Sequence, residues 1–212
     1  NNYALYISGC NFRKNEGQSN GGAIYITITN TQSLKPIEIN NCEFNQNKAD
    51  HKDEERGGAI YFSFESTNDQ NFVFTVTDCS FKKNTVAYYG GAIFLSLTKD
   101  HKSLEININH CTFNENVAKN AVEGTANQGS GADIYYTIDS ESTSSATSTS
   151  ANPSLVIDQC EFGKSESYLE GGSITLNIQK DEILRKIEIK DCTFDANNAQ
   201  NGGSIMISQQ SK

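Results

Sequence analysis

The stretch CTFNENVAKN, residues 111–120, has a near copy in CTFDANNAQN, residues 192–201. Both hold one pattern, Cys-x-Phe-x-x-Asn. It starts six times in the chain, at Cys10, Cys42, Cys79, Cys111, Cys160 and Cys192. The fifth copy alone ends differently, in Ser165. Asn15, Asn47, Asn84, Asn116 and Asn197 close the other five. The steps between cysteines are 32, 37, 32, 49 and 32 residues, so one unit recurs along the whole chain.

Two further parts flank each copy. An alternating apolar run precedes the cysteine: Leu5/Ile7, Ile37/Ile39, Phe74/Val76, Ile106/Ile108, Leu155/Ile157 and Ile187/Ile189. A Gly-Gly-Ala-Ile sequence or a variant follows it, beginning at Gly21, Gly57, Gly90, Gly131, Gly171 and Gly202. The residues after these glycines alternate as well, as in Ile24-Ile26-Ile28 and Ile93-Leu95-Leu97. A period of two buries one face of a strand, whereas a helix needs spacings of three and four. Two residues, not one, separate Ile39 from Cys42, which fits a corner or bulge.

Three short strands per unit, with identical residues at matching positions, predict a solenoid. The expected fold is all-β: a right-handed parallel β-helix of six coils, about 32 residues per coil plus loop insertions. Residues 1–212 are read as a single parallel β-helix domain. The chain opens and closes inside strand patterns, which is expected of a segment of a longer protein or filament. Equivalent residues then stack at the strand spacing of roughly 4.8 Å. Cysteine and phenylalanine are expected inside, and the asparagines at a turn where each amide can both donate and accept along the axis. The glycine pair fits positive φ or close backbone approach.

The paired motifs Phe-x-x-Asn and Gly-Gly-Ala-Ile resemble the repeats of the polymorphic outer-membrane proteins of chlamydiae. More broadly they are similar to right-handed parallel β-helix proteins of the pectate-lyase-like type. That resemblance implies the fold, and a range of functions from adhesins and structural passengers to sugar-active enzymes. No membrane-barrel segment lies among these residues, so outer-membrane anchoring is not carried over.

Composition narrows the function. The formal charge of −9 disfavours nucleic acid and anionic membrane surfaces. No apolar run reaches the length of a transmembrane segment. A linear cysteine ladder converges on no ion, so no metal and no cofactor is expected. Disulfides between neighbouring coils stand as an alternative to buried free thiols, although parallel in-register side chains disfavour the torsion. Carboxylates for polysaccharide cleavage are best sought at the corner before the cysteines. Asp78 and His110 lie in neighbouring coils there, as do Asp158 and Asp191. A surface ion pair explains them as well. Tyr25, Tyr61, Phe94 and Tyr135 form an outward column, continued by Thr175 and Met206, that suits sugar rings or a lateral partner; stacking that stabilises neighbouring coils, or a covering loop, explains it as well. Longer units carry insertions at His51 to Arg56 and Val117 to Ser130, while the Ser/Thr-rich run Ser140 to Pro153 leaves from another corner and suits O-glycosylation. The charges of His51 to Arg56 are expected to be solvated.

The expected protein is therefore a non-enzymatic extracellular or cell-surface rod, structural or adhesive, with a filament among its forms. Its partners are further coils end to end, its own or another copy's, and a carbohydrate or a host or neighbouring surface. The alternatives are a polysaccharide-active lyase or glycoside hydrolase, and a non-catalytic carbohydrate-binding module.

Overall fold

Alternation without helical periodicity yields strands alone. The computed structural model describes residues 4–29, 35–49, 55–65, 71–97, 104–119, 129–138, 154–178 and 186–209, and every regular element in them is a β-strand. The mid-parts of the insertions at 50–54 and 120–128, and the run 139–153, lie outside the described residues.

The strands form four sheets along the rod. The first joins Leu5–Ser8, Ile37–Asn40, Phe72–Thr77, Leu104–Asn109, Ser154–Asp158 and Lys186–Lys190 in that order. A second, from Asn11–Arg13 to Thr193–Asp195, carries the phenylalanines, and a fourth, from Ile24–Ile28 to Ile205–Gln209, follows the glycines. Between these two lies a third sheet of five two-residue strands, from Glu16–Gly17 to Glu166–Ser167. Pairing is parallel throughout and in repeat register, for example Phe12 with Phe44 and Phe81 with Phe113. The fold is the expected parallel β-solenoid, with six rungs spanning five coil-to-coil steps.

The core follows from the register. Phe12, Phe44, Phe81, Phe113, Phe162 and Phe194 form one stack, with centroids 4.7–4.9 Å apart and rings within 3–6° of parallel. Aliphatic columns from the first and fourth sheets fill the rest of the interior. A separate small column of Ala49, Val86 and Ala118 is the buried face of the third sheet.

Three residues in each coil make its corners. Gly9, Asn41, Asp78, His110, Gln159 and Asp191 precede the cysteines with φ between 50° and 63°. Lys14, Gln46, Lys83, Glu115, Lys164 and Ala196 precede the Asn column with φ of 51–56°. Left-handed backbone costs most non-glycine residues roughly 1–2 kcal/mol each, so the stack imposes this conformation on them. The first glycine of each pair is the third such corner, with φ of 57–70°. The second glycine serves another need. A Cβ on Gly58 would lie 2.0 Å from the carbonyl oxygen of Gly91 in the next coil.

Candidate functional site

Inside the rod, the corner cysteines make hydrogen bonds as well as packing. The N–H of Cys42 donates to Cys79 Sγ at 3.4 Å, and the Cys79 thiol donates to the Thr77 carbonyl at 3.1 Å. The arrangement repeats from Cys10 to Cys42, Cys111 to Cys160 and Cys160 to Cys192. A corner N–H that finds no strand partner is thus met by sulfur, a weak acceptor. All six thiols are free. Burial pushes the Cys42 and Cys192 thiols up, and contacts with Cys160 and Cys79 together with burial hold Cys111 well up. The expectation that all six lie inside is corrected at two of them: Cys10 is exposed and Cys192 half-buried, while the other four are buried. A thiol reagent on the native chain without reductant should therefore modify Cys10 quickly and Cys192 slowly. Cys42, Cys79, Cys111 and Cys160 should react only on unfolding, and a total below six would contradict the ladder.

The asparagine ladder is continuous through the first four coils. Asn15 Nδ2 donates to Asn47 Oδ1 at 2.8 Å, and Asn47 to Asn84 and Asn84 to Asn116 at 3.0 Å. Each Oδ1 also accepts the backbone N–H of the preceding asparagine. The second amide hydrogen goes backward, as from Asn84 Nδ2 to the Phe44 carbonyl at 2.9 Å.

Ser165 keeps the backbone half of this ladder: its Oγ accepts the Asn116 N–H at 3.3 Å, and its own N–H donates to Asn197 Oδ1 at 3.0 Å. The Asn116 amide is taken by Asp133 instead. Asp133 occupies the alanine position of Gly-Gly-Ala-Ile and is fully buried. Its Oδ1 accepts from Asn116 Nδ2 at 2.8 Å and from Ser165 Oγ at 2.7 Å. The two departures from the repeat therefore meet in space. Burial pushes the Asp133 carboxyl up to about 7, against the lowering by bonds from Ser165 and Asn116. Its Oδ2 and the Ser173 Oγ have no geometric hydrogen-bond partner.

On the outside of the fourth sheet the aromatic column is stacked as its register requires, with Tyr25–Tyr61 at 4.8 Å, Tyr61–Phe94 at 5.3 Å and Phe94–Tyr135 at 5.6 Å. The expectation that all four rings face solvent is corrected. Tyr25 is 58% exposed, but Tyr61, Phe94 and Tyr135 are 8%, 1% and 7% exposed. Part of the cover comes from residues just before the glycine pairs, each reaching the next coil. The Arg56 guanidinium lies 5.4 Å from the Phe94 centroid, a cation–π distance, and the Tyr89 ring lies 4.5 Å from Tyr135. The column is thus mostly a second, external core. The reading of the His51 to Arg56 charges as solvated is also corrected where the structure describes them: Glu55 is 0% exposed and Arg56 is packed on Phe94. Residues 51–54 lie outside the described residues.

The polar corner is engaged differently from expectation. His110 Nε2 lies 3.0 Å from Gln159 Oε1, in the coil beyond, rather than bonding Asp78. Asp158 pairs with Lys190 at 3.0 Å. Asp78, His110 and Asp191 all sit at left-handed corners, so their column is a feature of chain direction. Among the described residues no three His, Cys, Asp or Glu converge to hold a metal ion, and no helix is long and apolar enough to cross a membrane.

Residues 9–27, 41–63 and 78–96 match the family model of the Chlamydia polymorphic membrane protein (Chlamydia_PMP) repeat. No curated protein and no solved structure matches the chain significantly. Each matched segment runs from the corner before the cysteine through the glycine pair into the fourth sheet. The last three coils keep the same backbone but depart in sequence at Asp133, Ser165, Ser173 and Ser204. The chain is a parallel β-solenoid whose first three coils carry repeats similar to those of the Chlamydia polymorphic membrane proteins.

Proposed function

We propose that this chain is a segment of a surface-exposed structural rod that presents its side wall to partner surfaces, adhesive rather than enzymatic. The observation that carries the reading is the unbroken register from Leu5 to Gln209, together with the repeat match. The recurring residues are spent on holding coils together: thiols on N–H groups, amides on amides, rings on rings. Two of the four side chains best suited to polysaccharide cleavage are engaged in wall contacts, His110 with Gln159 and Asp158 with Lys190. The similarity to a membrane-protein repeat supports an extracellular or cell-surface setting.

Turnover and adhesion separate this reading from its rivals. Incubation with acidic and neutral polysaccharides is expected to release no product, and beads coated with the chain are expected to adhere to cell surfaces. Product release would replace the rod with an enzyme. Saturable binding to an arrayed glycan, lost in Tyr25→Ala, would replace it with a carbohydrate-binding module, since Tyr25 is the open ring of the column.

A further inference from the structure

Three departures from the repeat fall on one step of the rod, that between the fourth and fifth coils. Ala132 stands where the other coils have the second glycine, Asp133 where the first three have alanine, and Ser165 where the others have asparagine. Backbone ties across that step are long. The Ala132 N–H reaches the Gly171 carbonyl at 3.4 Å, whereas its equivalents at Gly22, Gly58, Gly91 and Gly172 span 2.9–3.2 Å. The Asn116 N–H meets Ser165 Oγ at 3.3 Å, against 2.9–3.0 Å for the same bond to an asparagine Oδ1.

Two amide bonds are lost from the step as well. Asn47, Asn84, Asn116 and Asn197 each donate back to a phenylalanine carbonyl of the coil before. Ser165 has no amide to do the same for Phe113. Asn15, Asn47 and Asn84 each donate forward to the next asparagine, but Asn116 gives that hydrogen to Asp133 of its own coil. The bond from Ser165 Oγ to Asp133 Oδ1, at 2.7 Å, spans the step in their place.

That bond depends on a fully buried carboxyl group. The side chains packed on it, Asn116 and Ser165, carry no charge, nor do Ala92 and Ser173 at its own position in the coils on either side. Among the described residues no cation acts on the carboxyl. A carboxylate sealed in this way is costly, and water reaches it only when the corner parts. Each coil of a solenoid binds only its neighbours, so one step can part while others hold.

We propose that the step between the fourth and fifth coils is a pH-gated seam: local opening of its corner at Asn116, Asp133 and Ser165 rises as the solution passes from acidic to neutral, while the first three coils stay closed. The seam needs only the stacked fold and holds whether or not the rod is adhesive.

Two equivalent amides test it. Thr85 and Glu166 donate to the carbonyls of Asn47 and Asn116 at 2.9 and 3.0 Å, the same bond two steps apart. The closed corner keeps the Asp133 proton up to about pH 7, and the open corner releases it near the ordinary 3.8. Opening therefore gives up a proton and becomes about tenfold easier per pH unit between these limits, then levels off. Hydrogen exchange followed by NMR and corrected for the intrinsic rate is expected to show protection at Glu166 falling roughly hundredfold from pH 5 to 7 and holding level to pH 8. Thr85 should keep its protection throughout. Asp133→Asn keeps an acceptor and cannot ionise, so protection at Glu166 should then be constant over the same range. Protection at Glu166 that ignores pH in the parent would overturn the proposal. So would an equal fall at Thr85, which is unfolding of the whole rod, or an equal fall in Asp133→Asn, which would assign the effect to another group.

Discussion

Gly58→Ala is expected to destabilise the chain by about 3 kcal/mol or to prevent its folding. One added methyl group does this. At Gly58 the methyl would lie 2.0 Å from the Gly91 carbonyl oxygen and 2.7 Å from that of Thr85, both backbone atoms held in the ladder. Neither can rotate away. Relief requires spreading two coils, and Gly58 N–H is held to the Gly90 carbonyl at 2.9 Å. Ala132 shows the form that relief takes. It stands at the same position in the fourth coil, and there the equivalent hydrogen bond, Ala132 to the Gly171 carbonyl, stretches to 3.4 Å. Thermal denaturation of Gly58→Ala beside the parent decides the matter. Equal melting of Gly58→Ala and parent would show that the coils are not closely stacked at this corner.

The second large effect concerns Asp133 and Ser165. Asp133→Ala alone strips Asn116 Nδ2 and Ser165 Oγ of their shared acceptor, at a cost of about 1–3 kcal/mol for buried groups left unmet. Ser165→Asn alone crowds an amide against the carboxyl. Together, the two substitutions restore the Asn/Ala pairing of the first three coils. The double variant is therefore expected to be at least as stable as the parent at neutral pH, and the double-mutant cycle strongly non-additive. The parent also carries a pH dependence that the double variant lacks. The Asp133 carboxyl is raised from 3.8 to about 7, so the folded state keeps a proton that the unfolded state gives up. Its contribution is complete below about pH 4 and is lost as pH rises through about 7, a swing on the order of 4 kcal/mol relative to the double variant. Denaturant titrations between pH 4 and 8 measure it. A difference that does not change with pH would place the Asp133 carboxyl in contact with water.

Much of the fold is legible in the residues because the solenoid repeats each constraint six times. Cysteine, phenylalanine and the glycine pair fix the register, and alternation fixes the strands of the first, second and fourth sheets. The third sheet is not legible, since strands of two residues such as Thr85–Val86 have no periodicity to show. Left-handed corners at Lys14, Gln46 and Glu115 carry no signal either, because these residue types do not favour that backbone. The covering of Tyr61, Phe94 and Tyr135 escapes a column-by-column reading for a related reason. Arg56 and Tyr89 share their row with Asn20, Ser130, Glu170 and Asn201, which have no chemistry in common. Asp133 and Ser165 are each visible as departures from the repeat. Only the packing of the fourth sheet against the corner shows that the departures compensate.

One coil-to-coil register underlies the whole fold, and scalar couplings across hydrogen bonds measure it directly. The amides of Glu43, Ser80, Thr112, Glu161 and Thr193 each lie 2.9 Å from the carbonyl oxygen of the cysteine one coil earlier: Cys10, Cys42, Cys79, Cys111 and Cys160. In a uniformly labelled sample, five amide-to-carbonyl couplings between these partners are expected. Couplings to carbonyls within the same coil, or to partners running in the opposite direction, would contradict the stacked rod.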